Sequence, residues 1–271
     1  MCKTCGCAIT PGNRHLVAVT GKLHLSNDGK ETVEVLTSLL QENNNQAAHN
    51  RDHFDRHHVL VINLMSSPGS GKTSLLEATI RAISPRLRIG VIEGDLETEN
   101  DAERIRAQGV PAVQITTGQA CHLDAHMVHD ALHELTLDDL DILFIENVGN
   151  LVCPASFDLG HHVNVVLLSV TEGDDKPAKY PVMFRAADLV LLTKSDLLAV
   201  LDDFDSDVAI KYIRSLGNAA AVFTLSARQP DTLQVWLDWL DATFAAIRAG
   251  EKFTPTLQAE GQALHATEAT R

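Results

Sequence analysis

The chain has 271 residues, and 22 Lys and Arg against 36 Asp and Glu give it a formal net charge of −14. This acidic balance disfavours nucleic-acid binding, which needs clustered cations to neutralise phosphates. Its apolar runs are too short for a membrane-spanning helix and no signal-peptide pattern is visible, so we expect a cytoplasmic protein without membrane partners.

Residues 1–30 show little periodicity and several turn-forming residues, which predicts a flexible arm. Three of the chain's 5 cysteines lie in it, as Cys2, Cys5 and Cys7. Clustered thiols in a reducing compartment indicate a metal site more than a disulfide. Thiolates suit Zn²⁺, Cu⁺, an iron–sulfur cluster or square-planar Ni²⁺, and the spacing does not choose among them. A redox pair is the alternative, but no thioredoxin-like pattern surrounds it.

Residues 31–58 predict a leading helix followed by a histidine-containing stretch. Apolar residues at helical spacing begin it, and we expect the asparagines at positions 43–45 to weaken it. The stretch that follows is polar, and for its histidines weak metal affinity and plain solvation are equally supported. These histidines are His49, His53, His57 and His58, and the same two interpretations apply to the His161–His162 pair.

From residue 59 onward, apolar strands alternate with helical patterns. The predicted strands are 59–65, 87–92, 112–115, 142–145, 163–170, 189–193 and 220–225. The predicted helices are 73–83, 101–108, 123–135, 206–216 and 232–247. Such alternation predicts an α/β fold with a mostly parallel sheet flanked by helices. We assign residues 31–250 to this domain and expect a disordered tail over 251–271.

A glycine-rich loop follows the first strand and opens a helix, as a P-loop requires. It ends in Gly71-Lys72-Thr73, although its first position is Ser66 where the strict pattern has glycine. Lys72 is expected to reach the β- and γ-phosphates, and the Thr73 hydroxyl to ligate Mg²⁺. The backbone amides around Gly69, Ser70, Gly71 and Ser74 complete the predicted phosphate site.

Two further strands end in carboxylates, Asp95 and Glu146. Each is predicted to bind Mg²⁺ or to position the attacking water, and Gly149 to approach the γ-phosphate. The plainer interpretation is that strand ends often carry acidic helix caps.

The next strand ends in Thr193-Lys194-Ser195-Asp196, which resembles the guanine-specificity motif of GTPases. Asp196 would accept hydrogen bonds from the guanine N1–H and N2 groups, and the Lys194 stem would lie along the ring. The loop at Ser226 and Ala227 resembles the segment that backs the guanine carbonyl. Three motifs in the expected order are a stronger indication than any one of them.

A second thiol set combines Cys121, His122 and Cys153. A single free cysteine is most often a buried apolar side chain, but two thiolates and an imidazole together suit a metal. Zn²⁺ suits this set at least as well as Ni²⁺. His126 lies one helical turn from His122 and is an additional ligand candidate, whereas His129 and His133 are better explained as a solvated face.

With the segment Glu146–Pro154 and the amino-terminal cysteines, these motifs resemble the HypB family of nickel-insertion GTPases. The resemblance spans roughly residues 1–250. It implies a SIMIBI-class GTPase, related to UreG and the signal-recognition GTPases, that helps load [NiFe]-hydrogenase. It also implies GTP-dependent dimerisation, a HypA-type nickel chaperone as partner, and an indirect action on the hydrogenase large-subunit precursor.

The same resemblance assigns roles to residues. A high-affinity nickel site is implied at Cys2, Cys5 and Cys7, and an internal metal site at Cys121, His122 and Cys153. The implied magnesium and phosphate residues are Lys72, Thr73, Asp95 and Glu146, with Asp196 for guanine. Hydrolysis is expected to be slow, because no arginine finger is evident.

Two rival functions stay open at this point. The first is an ATPase of the deviant P-loop class, although Ser67 stands where that class has a second lysine. The second is a nickel or zinc buffer or sensor with a vestigial P-loop, although Lys72 and Thr73 are intact.

Overall fold

The structure is a computed structural model and describes residues 30–97, 99–118 and 120–253. Residues 1–29 of the predicted arm, which include Cys2, Cys5 and Cys7, lie outside the described residues. Residues 254–271 of the predicted tail also lie outside them. The first tail residues are described, and Arg51 donates a hydrogen bond to the Phe253 carbonyl oxygen at 3.3 Å.

One sheet of seven parallel strands organises the chain. The strand order is β3-β2-β4-β1-β5-β6-β7, and every neighbouring pair is parallel. The strands are β1 (Leu60–Ser66), β2 (Ile89–Asp95), β3 (Ala112–Thr116), β4 (Ile142–Glu146), β5 (Val163–Ser169), β6 (Leu189–Thr193) and β7 (Ala221–Thr224). The predicted α/β class with a parallel sheet is therefore confirmed.

Helices connect the strands. They are α1 (Lys30–His57), α2 (Lys72–Ile83), α3 (Asn100–Arg106), α4 (Ala125–Leu132), α5 (Lys176–Lys179), α6 (Pro181–Arg185), α7 (Ser206–Ser215) and α8 (Pro230–Arg248), with short 3₁₀ turns at Leu137–Asp139, Pro154–Ser156 and Ser195–Leu197. None of the described helices combines the length and apolar character that crossing a bilayer requires.

Packing on both faces explains why the strands are almost wholly apolar. All seven positions of β1 are buried. Ile62 packs with α2 and α8 on one face, and Val61 packs against Phe54 of α1 on the other. A strand covered on both sides needs apolar residues throughout and so does not alternate with polar ones.

The expected weakening of the first helix at residues 43–45 is wrong, because α1 runs without interruption to His57. Asn43 is buried, and its side chain donates to the Asp158 carbonyl (2.9 Å) and accepts from the Ala125 amide (2.9 Å). Asn50 donates to the Ala125 carbonyl (2.8 Å). Low intrinsic helix propensity is offset by these tertiary hydrogen bonds.

Candidate nucleotide and metal site

The P-loop lies where β1 ends and α2 begins, at the carboxyl edge of the sheet, the usual ligand-binding edge of parallel sheets. Gly69 and Gly71 have φ angles of 77° and 95°, which only glycine adopts without strain. The loop is fixed from the end of β6, which β5 separates from β1 in the sheet. Thr193 Oγ1 donates to the Ser70 carbonyl (2.7 Å), and Lys194 Nζ donates to the Gly69 carbonyl (2.7 Å). The loop is thus held open for a phosphate.

Glu172, which was not predicted from the sequence, stabilises the P-loop through hydrogen bonds to two of its serines. Its carboxylate accepts hydrogen bonds from the hydroxyls of Ser67 and Ser70. The sequence feature that could have identified Glu172 is its position three residues after the end of β5, since Asp95 and Glu146 also stand at strand ends.

Acidic side chains line the cleft next to the P-loop. Thr73 Oγ1 donates to Glu146 Oε1 at 2.9 Å, so the predicted magnesium pair is in contact. Within the described ranges, carboxylate oxygens of Glu93, Asp101 and Glu146 lie within 4.8 Å of one another. Asp95 lines the same cleft but lies outside that group of three. Glu93 and Asp101 were not predicted.

The electrostatics of this cluster favour a cation. Burial, followed by the charge of Glu146, raises the pKa of Glu93 to about 8. Burial also raises the pKa of Glu146 to about 7, although Lys72 and Thr73 oppose the shift. Glu93 Oε2 and Glu146 Oε2 are buried and form no hydrogen bond with any described residue. Hard oxygen donors of this kind fit Mg²⁺, so the residues present suit the metal that the motifs imply.

Two adjoining clefts have the chemistry that a nucleotide needs. The larger, of about 480 Å³, holds Lys72, Thr73, Gly149 and the acidic cluster. The smaller, of about 230 Å³, is lined by the predicted guanine residues Asp196, Ser226 and Ala227. The two clefts share three residues, namely Gly71, Ser74 and Lys194. A phosphate chain in the first cleft would therefore lead directly to a base in the second.

The smaller cleft, where the guanine base is predicted to bind, is pre-organised around Asp196. Ser226 Oγ donates to Asp196 Oδ1 at 2.5 Å and itself accepts from the Arg228 amide at 3.1 Å. The hydroxyl thereby orients one carboxylate oxygen. Gly149 closes the other end of the site, where a Cβ atom would come within 3.0 Å of the Pro68 backbone. This close approach explains why glycine is needed there.

The second thiol set comes together as predicted. Sulfur and nitrogen atoms of Cys121, His122 and Cys153 lie within 4.8 Å of one another, and the two Sγ atoms are 2.9 Å apart. The His122 ring stacks on Phe157 with centroids 3.8 Å apart. Burial lowers the pKa of His122 to about 4, so the imidazole is neutral near pH 7, the form that binds metals. Two thiols and a neutral imidazole suit Zn²⁺ or Ni²⁺.

Two asparagines connect the nucleotide cleft to the thiol set. Asn147, next to Glu146, accepts from the Leu123 amide at 3.2 Å. Asn150 donates to the Cys121 carbonyl at 3.3 Å. The backbone on both sides of His122 is therefore bonded to the segment that leaves β4.

Comparisons with known proteins agree with this geometry. The nucleotide-binding domain described as CobW/HypB/UreG matches residues 60–224. The hydrogenase maturation factor HypB of Azotobacter vinelandii is 56% identical over 205 residues, which cover 75% of this chain and 67% of the relative. HypB of Escherichia coli K12 is 51% identical over 212 residues, covering 78% and 73%.

Solved structures give the same result. HypB from Helicobacter pylori in complex with nickel superposes with a TM-score of 0.73 and 41% identity, over 80% of this chain and 100% of that one. HypB from Archaeoglobus fulgidus gives 0.71 and 38%, over 76% and 100%. The fold class expected from the motifs is confirmed by these likenesses. The chain belongs to the HypB family of hydrogenase maturation factors.

Proposed function

We propose that the chain is a metal-regulated GTPase, which hydrolyses GTP to GDP and phosphate and acts as a nickel metallochaperone in [NiFe]-hydrogenase maturation. The observation that carries the proposal is one short segment. Glu146 contacts the P-loop threonine at its start, and Cys153 contacts Cys121 near its end. A nucleotide-sensing group and a metal ligand are thus separated by seven positions (153 − 146).

The residues of the cleft account for a nucleotide reaction. Lys72 Nζ donates a hydrogen bond to Ser66 Oγ at 3.1 Å. When a nucleotide binds, this ammonium group would instead contact the β- and γ-phosphates. Thr73 and Glu146 would hold Mg²⁺, with Glu93, Asp101 or Asp95 as further oxygen donors. When bound, the ion neutralises charge on the transferring phosphate.

Slow hydrolysis is consistent with the charges in the cleft. Arg104 lines it, but its guanidinium donates to Glu77 (3.0 Å) and Asp101 (2.7 Å). A guanidinium engaged by two carboxylates adds little to the stabilisation of a phosphoryl transition state, the role of an arginine finger. Slow turnover suits a timing switch.

The thiol sites would carry the metal cargo. Cys121, His122 and Cys153 supply the internal site, which accepts Ni²⁺ or Zn²⁺. Cys2, Cys5 and Cys7 would supply a high-affinity nickel site in the arm. Nickel is favoured because the Helicobacter pylori relative was solved with it. GTP-dependent homodimerisation, a HypA-type partner and indirect delivery to the hydrogenase large-subunit precursor belong to the same proposal, as does a cytoplasmic location.

Competition for one labelled nucleotide tests the guanine assignment. GTP should displace labelled GDP, and ATP should not. Asp196→Asn should weaken GTP binding by roughly tenfold or more, because a hydrogen bond to a charged group is lost. Asp207→Asn, an exposed change on α7, is the matched control. Equal displacement by ATP would instead favour the deviant P-loop ATPase.

A vestigial P-loop is tested separately. If the chain were only a nickel buffer or sensor, Lys72→Ala would leave its role in hydrogenase maturation in cells intact. We expect that variant to lose the role while still binding nickel in solution.

A further inference from the structure

Four histidines meet where α1 packs on α4. His49 and His53 lie one turn apart on α1, and His129 and His133 lie one turn apart on α4 and its carboxyl-terminal cap. The ring centroids of His49 and His53 are 4.7 Å apart, and those of His49 and His129 are 5.2 Å apart. The rings of His129 and His133 are also 5.2 Å apart, and His53 to His129 is 6.2 Å. We call these four residues the histidine cluster.

These separations match those of imidazoles that share one metal ion. A ring nitrogen about 2.1 Å from the ion puts the ring centroid about 3.2 Å from it. Two rings at right or tetrahedral angles are then roughly 4.5 to 5.2 Å apart, by the same bond length. Three of the four measured separations lie in this range. Among the described residues, no three imidazole nitrogens of this cluster lie within 4.8 Å of one another, so a shared ion requires the side chains to rotate.

The protonation state of the cluster also suits a metal. Burial, and then the charge of His49, lowers the pKa of His53 and of His129. Arg56 contributes further to His53, and His133 to His129. His129 Nδ1 is buried and receives no hydrogen bond from any described residue. Rings that stay neutral, one of them with a buried nitrogen that makes no hydrogen bond to a described residue, have lone pairs available for a metal ion.

The two helices are fixed independently of the cluster. Asn43 and Asn50 bond α1 to both backbone groups of Ala125, the first residue of α4. His49 lies between these two asparagines in the sequence. The two helix backbones that carry the cluster are therefore held by the fold before any metal binds, which reduces the entropic cost of forming a site.

We propose that the histidine cluster is an all-imidazole binding site for a borderline divalent cation of the Ni²⁺ or Zn²⁺ class, distinct from the thiol sites. Neutral imidazoles select these ions over Mg²⁺, which prefers oxygen. Two of its four residues, His129 and His133, follow His122 along the chain, so a chain that carries metal at Cys121, His122 and Cys153 would have a thiol-free site that shares this stretch of sequence. It requires neither nucleotide nor the thiols, and its test is independent of the proposed GTPase function.

Ni²⁺ itself is the probe, because thiolate-bound nickel shows charge-transfer absorption and imidazole-bound nickel does not. The full chain is dialysed against buffered, micromolar free Ni²⁺, and total bound metal and thiolate absorption are measured together. The cluster variant His49→Gln/His53→Gln should bind one equivalent less Ni²⁺ than the wild-type chain, with unchanged thiolate absorption. The control His57→Gln/His58→Asn removes the last histidine of α1 and the histidine directly after it, and it should keep that equivalent.

Three outcomes would overturn the proposal: equal stoichiometry in the cluster variant and wild type, an equal loss in the control, or a parallel fall in thiolate absorption. His49 is exposed, so its replacement leaves the core unchanged. Circular dichroism checks that the variants fold.

A second readout needs no substitution. In the wild-type chain with labelled histidine, the four ring resonances should respond to Zn²⁺ in a single step, and independent responses would contradict a shared site.

Discussion

His162 shows how the fold decides the chemistry of a histidine. The sequence left the His161–His162 pair open between weak metal affinity and solvation, but the two residues are only 4% and 2% exposed. The solvated interpretation is therefore wrong. His162 Nδ1 accepts from the Val61 amide at 2.9 Å, and Nε2 lies 3.0 Å from Asp55 Oδ1. Both ring nitrogens are occupied, so the ring is a structural link between α1 and β1.

The pKa of His162 makes stability depend on pH. Burial, and then the charge of Arg51, lowers it to about 4, although Asp55 opposes the shift. The unfolded chain therefore binds a proton near pH 6.5 that the folded chain refuses until about pH 4. The contribution of His162 to the free energy of unfolding is fully present above pH 6.5 and falls by on the order of 3 kcal/mol towards pH 4. Buried His161, whose pKa is lowered in the same direction, adds to the slope. The raised pKa values of Glu93 and Glu146 act in the opposite direction.

Denaturant unfolding at several pH values measures this effect. His162→Asn keeps an acceptor for the Val61 amide but removes the titrating ring, so the wild-type chain should lose stability relative to this variant between pH 6.5 and 4. His58→Asn, at an exposed position with a positive φ, is the control and should keep the wild-type slope. An unchanged slope in His162→Asn would contradict the assignment.

At the nucleotide cleft, single residues divide into those that motifs predict and those that only packing reveals. The contact between Thr73 and Glu146 follows from two motifs whose strands, β1 and β4, are neighbours. Glu93 and Glu172 belong to no motif, and their roles depend on which strands lie beside β1. A linear pattern does not contain that information.

At the scale of elements, α1 is the clearest case of tertiary structure overriding propensity. Its asparagines lower the intrinsic tendency to form a helix. Asn43 and Asn50 nevertheless serve as side-chain partners for the amide and carbonyl of Ala125 at the start of α4. Because Ala125 is the first residue of α4, its amide has no intrahelical acceptor, and the Asn43 side chain supplies one.

Asn43→Ala should therefore lower the free energy of unfolding by about 1 to 3 kcal/mol, because the buried Ala125 amide loses its acceptor. Asn45→Ala changes an exposed asparagine in the same helix. It should be neutral or slightly stabilising, since alanine is the better helix former. Denaturant titration of the two variants isolates the tertiary bonds, and equal effects would show that Asn43 acts only through propensity.

At the scale of the whole molecule, the segment that follows Glu146 joins the nucleotide cleft to the thiol set. Motion of the segment after Glu146 would be transmitted to Cys121 and His122 through Asn147 and Asn150, and to Cys153 through the chain itself. A ligand can shift such an equilibrium only if it binds two arrangements with different affinity.

We expect the internal site to bind Ni²⁺ with different affinity in the presence of a non-hydrolysable GTP analogue and of GDP. Typical coupling between sites is about 5- to 150-fold. Asn150→Ala should reduce the difference, because it removes the bond to the Cys121 carbonyl, whereas Asn45→Ala should not. Equilibrium titration of a chain lacking Cys2, Cys5 and Cys7 isolates the internal site. Identical affinities in the two nucleotide states would refute the coupling.

The sequence by itself determined the class of fold and located the nucleotide loop, and it supplied the predictions of a guanine motif and of two thiol sets. These features are local: a buried strand is an apolar run, and a phosphate loop needs glycines, a lysine and a hydroxyl in consecutive positions. Only the tertiary structure decided the distances between such elements. It brought Cys153 to Cys121, placed Glu93 beside Glu146, buried His161 and His162, and assembled the histidine cluster from two helices about 80 residues apart (129 − 49). Sequence periodicity predicts which face of a helix is apolar, but the partner of that face is set by the order of strands in the sheet.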